Sequence, residues 1–254
     1  MPSLTRKRPR AANRTVAVAD PGHLGFDYQI RYSARKTLSL QVRDGSVRLA
    51  APHHACPREL QQWLDSKLEW VRTKLADQQQ RQLEIPHRKL CQGETLPLLG
   101  RSLELCIEQT GQRSRSSVQL QGDQLRLRFY PNPAMSHQQQ VRGLLEQWYK
   151  AQARALLAAK TRQVCAGLGV QASDIRLRKT ISKWGHCTPA GVIQYNWLIL
   201  QAPEAVVDYL VTHECCHLVH LNHSKQFWAL VQRVMPGYRE PRRWLRDNGH
   251  TLVL

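Results

Sequence analysis

Apolar residues first recur with a period of two. Leu38, Leu40 and Val42 alternate with polar neighbours, Asp44-Gly45 interrupts, and Val47 and Leu49 resume the alternation. Alternation places one set of side chains on one face of a strand. Asp-Gly tolerates the positive φ of a two-residue turn, so this stretch predicts a hairpin that Pro52 closes. From Pro57 the period lengthens. Leu60, Trp63, Leu64, Leu68, Val71 and Leu75 recur at helical intervals and predict one long helix, with Trp63 and Trp70 as core anchors. A second hairpin runs from Val118 and Leu120 through Gly122-Asp123 to Leu125, Leu127 and Phe129. Arg126 and Arg128 fall on one face of its second strand, with Arg113 and Arg115 in the loop before it; an open, solvated sheet face accounts for them. Ser136 and Gln139 have capping-box spacing, and Val141, Leu145, Trp148, Tyr149 and Leu157 mark a long amphipathic helix ending near Gly167 and Gly169. After Pro189-Ala190-Gly191 an apolar strand is expected from Val192 to Leu200, and Pro203-Glu204 open another helix. The sequence shows no internal repeat. The pattern is that of an α+β protein.

Length divides this pattern into regions. The 254 residues suffice for one large domain or two small ones sharing a core. Residues 1–22, basic and poor in apolar side chains, read as a flexible tail. Residues 23–134 read as a β-rich region with one long helix, and 135–254 as a more helical region. The boundary near 134 is soft. No run approaches the ~18 apolar residues that span a bilayer, which excludes a membrane protein. The Thr15–Ala19 run is too short for the apolar core of a secretory signal. Seven cysteines without a C-x-x-C pair argue against a disulfide framework and for a reducing, cytoplasmic setting.

Charge adds a candidate partner. Lys and Arg number 37 against 19 Asp and Glu, giving +18 and a pI near 10.2. Such a chain attracts polyanions, nucleic acid among them.

The chemistry concentrates on the last predicted helix. His213-Glu214-Cys215-Cys216-His217 is an H-E-x-x-H motif. Two His four apart share one helical face, so both imidazoles reach one Zn²⁺ at ~2.0–2.1 Å. Glu214 stands beside the metal, placed to move a proton between a water and a leaving group. A catalytic zinc takes three protein ligands and keeps the fourth position open. His220 would lie ~10.5 Å along a continued helix from His213, awkward for one tetrahedron. His223 serves if the chain turns back, with Asn222 as a left-handed helix terminator. We therefore favour His223, with Glu240 as the carboxylate alternative. One zinc per chain is expected. Cys215 points away from the ligands and Cys216 flanks them, both as small apolar packing.

Further segments carry a resemblance. Lys183-Trp184-Gly185-His186-Cys187, Ala202-Pro203, His213–His217, Asn222-His223-Ser224, Phe227-Trp228, Met235-Pro236-Gly237-Tyr238 and Trp244-Leu245 resemble the YgjP-like metallopeptidases, relatives of the SprT-like zinc proteases. Arg31–Lys36 and Ala51-Pro52 resemble the family's N-terminal strands, so the likeness runs from about Tyr28 to Leu245. It implies a zincin-like core in residues 135–254, ligands at His213, His217 and His223, and Glu214 as the catalytic base. On family position Tyr238 is a candidate contact to the transition state, and the strand before the metal helix is a candidate for aligning an extended substrate. His186 replaces the family's Ser, Cys215 an aliphatic residue and Lys183 the more usual Arg. The activity implied is hydrolysis of protein or peptide substrates by a metal-activated water, near nucleic acid. The alternative is a polyanion- or DNA-binding module with a structural zinc. Nothing in the sequence specifies an oligomeric state.

Overall fold

The computed structural model describes residues 13–20, 22–111, 115–180 and 183–254. It divides the chain into two compact units, 1–84 and 85–254. Arg113 and residues 1–12 of the basic tail lie outside the described residues. No helix among those described is long and apolar enough to cross a membrane.

The first unit is a sheet backed by two helices. Strands β1 (Arg14–Val18), β2 (Tyr28–Ser33), β3 (Ser39–Arg43) and β4 (Ser46–Pro52) are ordered β1-β2-β4-β3. The β2–β4 pair is parallel and both outer pairs are antiparallel. Asp44 (φ 50°) and Gly45 (φ 70°) make the expected hairpin turn between β3 and β4. The end of the expected tail is a strand instead: Val16 and Val18 take the inward register opposite Ile30 and Tyr28. The long helix breaks at Ser66 into α1 (Pro57–Asp65) and α2 (Leu68–Glu84). Their Leu60, Leu64 and Val71 pack with Ile30, Val47 and Leu49 of the sheet. Trp63 joins that core, but Trp70 is 45% exposed and anchors nothing.

The second unit opens with the same plan. Strands β5 (Thr95–Leu98), β6 (Arg101–Gln109), β7 (Ser117–Gln121) and β8 (Gln124–Phe129) are ordered β5-β6-β8-β7, again with a parallel central pair between antiparallel flanks. A repeat that the sequence hides is thus present in the topology. The two halves share strand sense but few residue identities, and strand pairing constrains pattern more than identity. Helix α3 (His137–Leu168) follows, with its Ser136–Gln139 capping box formed and Gly169 in the left-handed conformation as C-cap.

A three-stranded sheet then precedes the metal helix. It comprises β9 (Asp174–Arg178), β10 (Gly185–Cys187) and β11 (Val192–Asn196), with β11 central, antiparallel to β10 and parallel to β9. The apolar run after Asn196 is not strand: Trp197–Gln201 form a 3-10 helix whose first turn the Asn196 side chain caps. Helix α4 (Glu204–Cys216) follows, then α5 (Lys225–Val234) and α6 (Arg239–Asn248).

One core runs from the second four-stranded sheet to α4. Leu103, Leu125 and Leu127 belong to the same buried cluster as Leu145 and Leu157 of α3 and Val207 and Val211 of α4. The strands between 95 and 129 therefore share their core with the region beyond 134. Three polar links also fix α3 against what surrounds the site. Lys160 Nζ donates to Asp208 at 2.6 Å and Glu204 at 2.8 Å, Thr161 bonds the Tyr195 hydroxyl at 2.9 Å, and Tyr149 donates to the Pro97 carbonyl at 2.8 Å.

Candidate metal centre

Helix α4 positions the site because its opposite face is anchored. Cys215 is fully buried with its Sγ 3.7 Å from that of Cys165 on α3, so His213 and His217 are left on the face turned away from α3. The helix ends at Cys216, and Leu218, Val219 and His220 close it with backbone bonds to Cys215 and Cys216. Asn222 does not take the left-handed conformation; its side chain accepts from the Ser224 N–H at 3.3 Å, an Asx-type turn. Ser224 in turn caps α5. Two successive side-chain turns thus bring His223 back over the helix.

The result is a cluster of three imidazoles. Ligand nitrogens of His213, His217 and His223 lie within 4.8 Å of one another, and the Nε2 atoms of His213 and His223 are 3.0 Å apart. His217 Nδ1 sits 3.0 Å from the His220 carbonyl, and His213 Nδ1 3.5 Å from the Tyr209 hydroxyl. His220 is therefore a main-chain partner of His217 and not a member of the cluster. Glu240, exposed on α6, is not in the cluster.

Electrostatics favour neutral imidazoles. Burial, then His217, His223 and Arg242, pushes the His213 pKa down to about 3, and burial lowers that of His217. Neutral imidazole is the ligating form.

Glu214 projects to the neighbouring wall. It is 4% exposed, and its Oε2 has no hydrogen-bond partner among the described residues. Burial raises its pKa to about 8, against opposing effects from the Lys183 charge and the Cys187 main-chain N–H. Its neighbour Gly185 is packed so closely that a Cβ there would fall 2.6 Å from Glu214 Cδ and 2.7 Å from Cγ. The glycine in Trp184-Gly185-His186-Cys187 is needed for the carboxylate to lie against β10.

A cavity of about 400 Å³ joins these groups, with Trp184, Leu210, Leu221 and Leu245 supplying apolar wall and Lys183 and His186 polar wall. Tyr238 is not among the lining residues. It is buried, stacked on Trp228 (5.6 Å, 21°) and on Tyr209 (6.5 Å, 20°). Trp228 also stacks on His223 at 5.6 Å and 25°. An aromatic column therefore runs from His223 through Trp228 and Tyr238 to Tyr209, which returns to His213. Sequence reasoning gives Trp228 no role and misses Tyr209, whose only sequence signal is its place four residues before His213.

An H-E-x-x-H helix joined by a third His from a return loop, with the Glu buried at the edge of an open cavity, defines the metallopeptidase class. A family model described as the YgjP-like metallopeptidase domain matches residues 36–248, and the chain belongs to that family. Among solved structures it is similar to the metallopeptidase zymogen of Pyrococcus abyssi, abylysin. That match has 24% identity, covers 38% of this chain and 99% of that one, and has a TM-score of 0.34. No curated protein matches by sequence.

Proposed function

We propose that the chain is a zinc-dependent peptidase in which His213, His217 and His223 hold one Zn²⁺ and Glu214 is the general base. The observation that carries this reading is the convergence of three imidazole nitrogens beside a buried carboxylate oxygen that lacks a partner among the described residues, on one open cavity. The donor set fits the ion. Three neutral nitrogens suit zinc better than the hard, oxygen-preferring cations. When bound, zinc supplies Lewis acidity, which polarises a carbonyl and acidifies a water.

The chain's own residues do the rest. For Nε2 of His213 to face the cavity, its Nδ1 carries the proton and points at Tyr209, while His217 Nδ1–H donates to the His220 carbonyl. Glu214 accepts a proton at its free oxygen from the attacking water and delivers it to the leaving amine. Tyr238 acts through the aromatic column by holding Tyr209 and Trp228, and not on the substrate.

Substrate alignment falls to β10. The expected strand, β11, is paired on both sides and has no free edge. Gly185-His186-Cys187 is an edge strand bordering the cavity, suited to pair with an extended peptide, and the apolar wall favours an apolar side chain beside the scissile bond. A cavity beside the ligands favours catalytic over structural zinc, because a structural site closes all four positions with protein. Kinship with the SprT-like proteases is consistent with the H-E-x-x-H helix. A reducing, cytoplasmic setting is the reading we keep from seven cysteines without a C-x-x-C pair.

Elemental analysis with a peptide-hydrolysis assay tests this. Wild type should carry about one zinc per chain, and Glu214→Gln should keep it while hydrolysing at least ~10²-fold more slowly. Equal rates in the two proteins would overturn the role of Glu214, and metal-replete wild type without zinc would overturn the centre.

A further inference from the structure

The first unit's sheet has one face that the peptidase reading leaves without a task. Tyr28, Ile30, Val47 and Leu49 face the helices, so the alternate residues face solvent. Gln29, Arg31, Gln41, Arg43 and Arg48 are all exposed there. No Asp or Glu occupies any outward position of the four strands.

Register makes the arginines a row. Arg31 lies opposite Ala50, Arg48 opposite both Gln29 and Gln41, and Arg43 opposite Ser46. Each step from β2 to β4 to β3 is therefore a two-residue diagonal of ~7–8 Å. That is close to the spacing of successive phosphates along one nucleic-acid strand. Gln29 and Gln41 flank the middle guanidinium with amide donors. Arg43 lies 3.4 Å from Asp44 in the turn, whereas Arg31 and Arg48 make no ion pair among the described residues. The second sheet differs. There Arg101 meets Asp123 at 2.5 Å and Arg128 meets Glu108 at 3.0 Å, while Arg126 donates to the Gln124 amide oxygen.

We propose that the open face of β1–β4 is a docking surface for the phosphate backbone of a nucleic-acid duplex. Guanidinium forks pair with phosphate oxygens, and binding releases condensed counterions. The outward positions carry no aromatic ring on which an unpaired base would stack, which favours duplex over single strand. Backbone contact alone carries no sequence preference. This surface lies in a different unit from the metal centre and does not depend on its chemistry.

The test is fluorescence anisotropy of the full chain with a labelled 20-base-pair DNA duplex across a salt series. Arg31→Gln with Arg48→Gln should reduce the slope of log affinity against log salt by about 1.8, at about 0.9 for each phosphate no longer neutralised. Arg101→Gln with Arg128→Gln changes net charge equally and should leave the slope as in wild type. Circular dichroism confirms that both pairs fold. Equal slopes in the two double variants would overturn the assignment and leave only the diffuse charge of the chain. Tighter binding of the corresponding single strand, or of phosphatidylserine vesicles with no duplex binding, would overturn the choice of partner. Peptide hydrolysis separates the readings. A chain that binds duplex but hydrolyses nothing loses the peptidase and keeps the surface, and the converse result does the reverse.

Discussion

The sheet of β1–β4 and the sheet of β5–β8 share strand order, a parallel central pair and a hairpin turned by Asp and Gly, and they differ in what each face meets. The first sheet buries one face on α1 and α2, and its outward arginines stand largely without acids. The second buries one face in the core that reaches α4, and on its outward face Arg128 meets Glu108. The same topology thus serves as a self-contained platform in one unit and as the foundation of the candidate metal centre in the other. What separates them is the chain that follows: β4 leads to two short helices, whereas β8 leads to the 32-residue α3 along which α4 packs.

Core truncation gives the largest contrast. Leu49→Ala and Leu127→Ala each remove a fully buried side chain of a central strand, and each should cost about 2–5 kcal/mol. Only Leu127 shares a core with α4, so only Leu127→Ala should weaken zinc retention against a chromophoric chelator. A matching loss in Leu49→Ala would break the distinction between platform and foundation.

Gly185→Ala tests the second unit alone. A Cβ there meets the Glu214 carboxyl, so the proposed base must shift while the three clustered histidines stay. A displacement of about 1 Å at a reacting group costs on the order of 10²-fold in rate. Hydrolysis should fall by that factor with zinc content unchanged, measured on one preparation. Coordinate loss of zinc would mean that β10 supports the ligands as well as the base.

Much of this was legible locally. Asp44-Gly45, Gly122-Asp123 and the Ser136–Gln139 box each dictate backbone geometry within a few residues, and each forms where its pattern lies. That His213 and His217 share a face was legible for the same reason, since four residues is about one helical turn. What was hidden depends on distant partners. The Ser66 break, the 3-10 turn after Asn196 and the paired state of β11 come from neighbours that spacing does not reveal. Apolar runs alone do not separate strand from tight helix. The stacking of Tyr238 between Trp228 and Tyr209 was hidden for the same reason.

That column gives a smaller effect. Trp228→Ala removes the ring stacked on His223, the most exposed of the three clustered histidines, whereas Trp228→Phe keeps an aromatic face. Partners that orient ligands contribute about 10–100-fold in metal affinity. Chelator competition should show roughly a tenfold loss for Ala and recovery for Phe. Equal losses would assign Trp228 to general packing.

The outward arginines give the smallest effect and the sharpest form of the comparison. Arg128→Gln separates an exposed ion pair and should lower stability by at most about 1 kcal/mol, because solvent screens the pair and both side chains gain freedom. Arg31→Gln removes a charge that has no acid partner among the described residues and one like neighbour, Arg48, along its diagonal. Relieved repulsion should leave its unfolding midpoint in urea unchanged or slightly raised, most visibly at low salt where screening is weakest. The sign of the difference is the readout. If Arg31→Gln destabilises as much as Arg128→Gln, the first sheet's arginines contribute to folding as the second's do, and the two faces are alike. If the signs differ, Arg31 contributes nothing to stability, which is what a face kept for a partner requires.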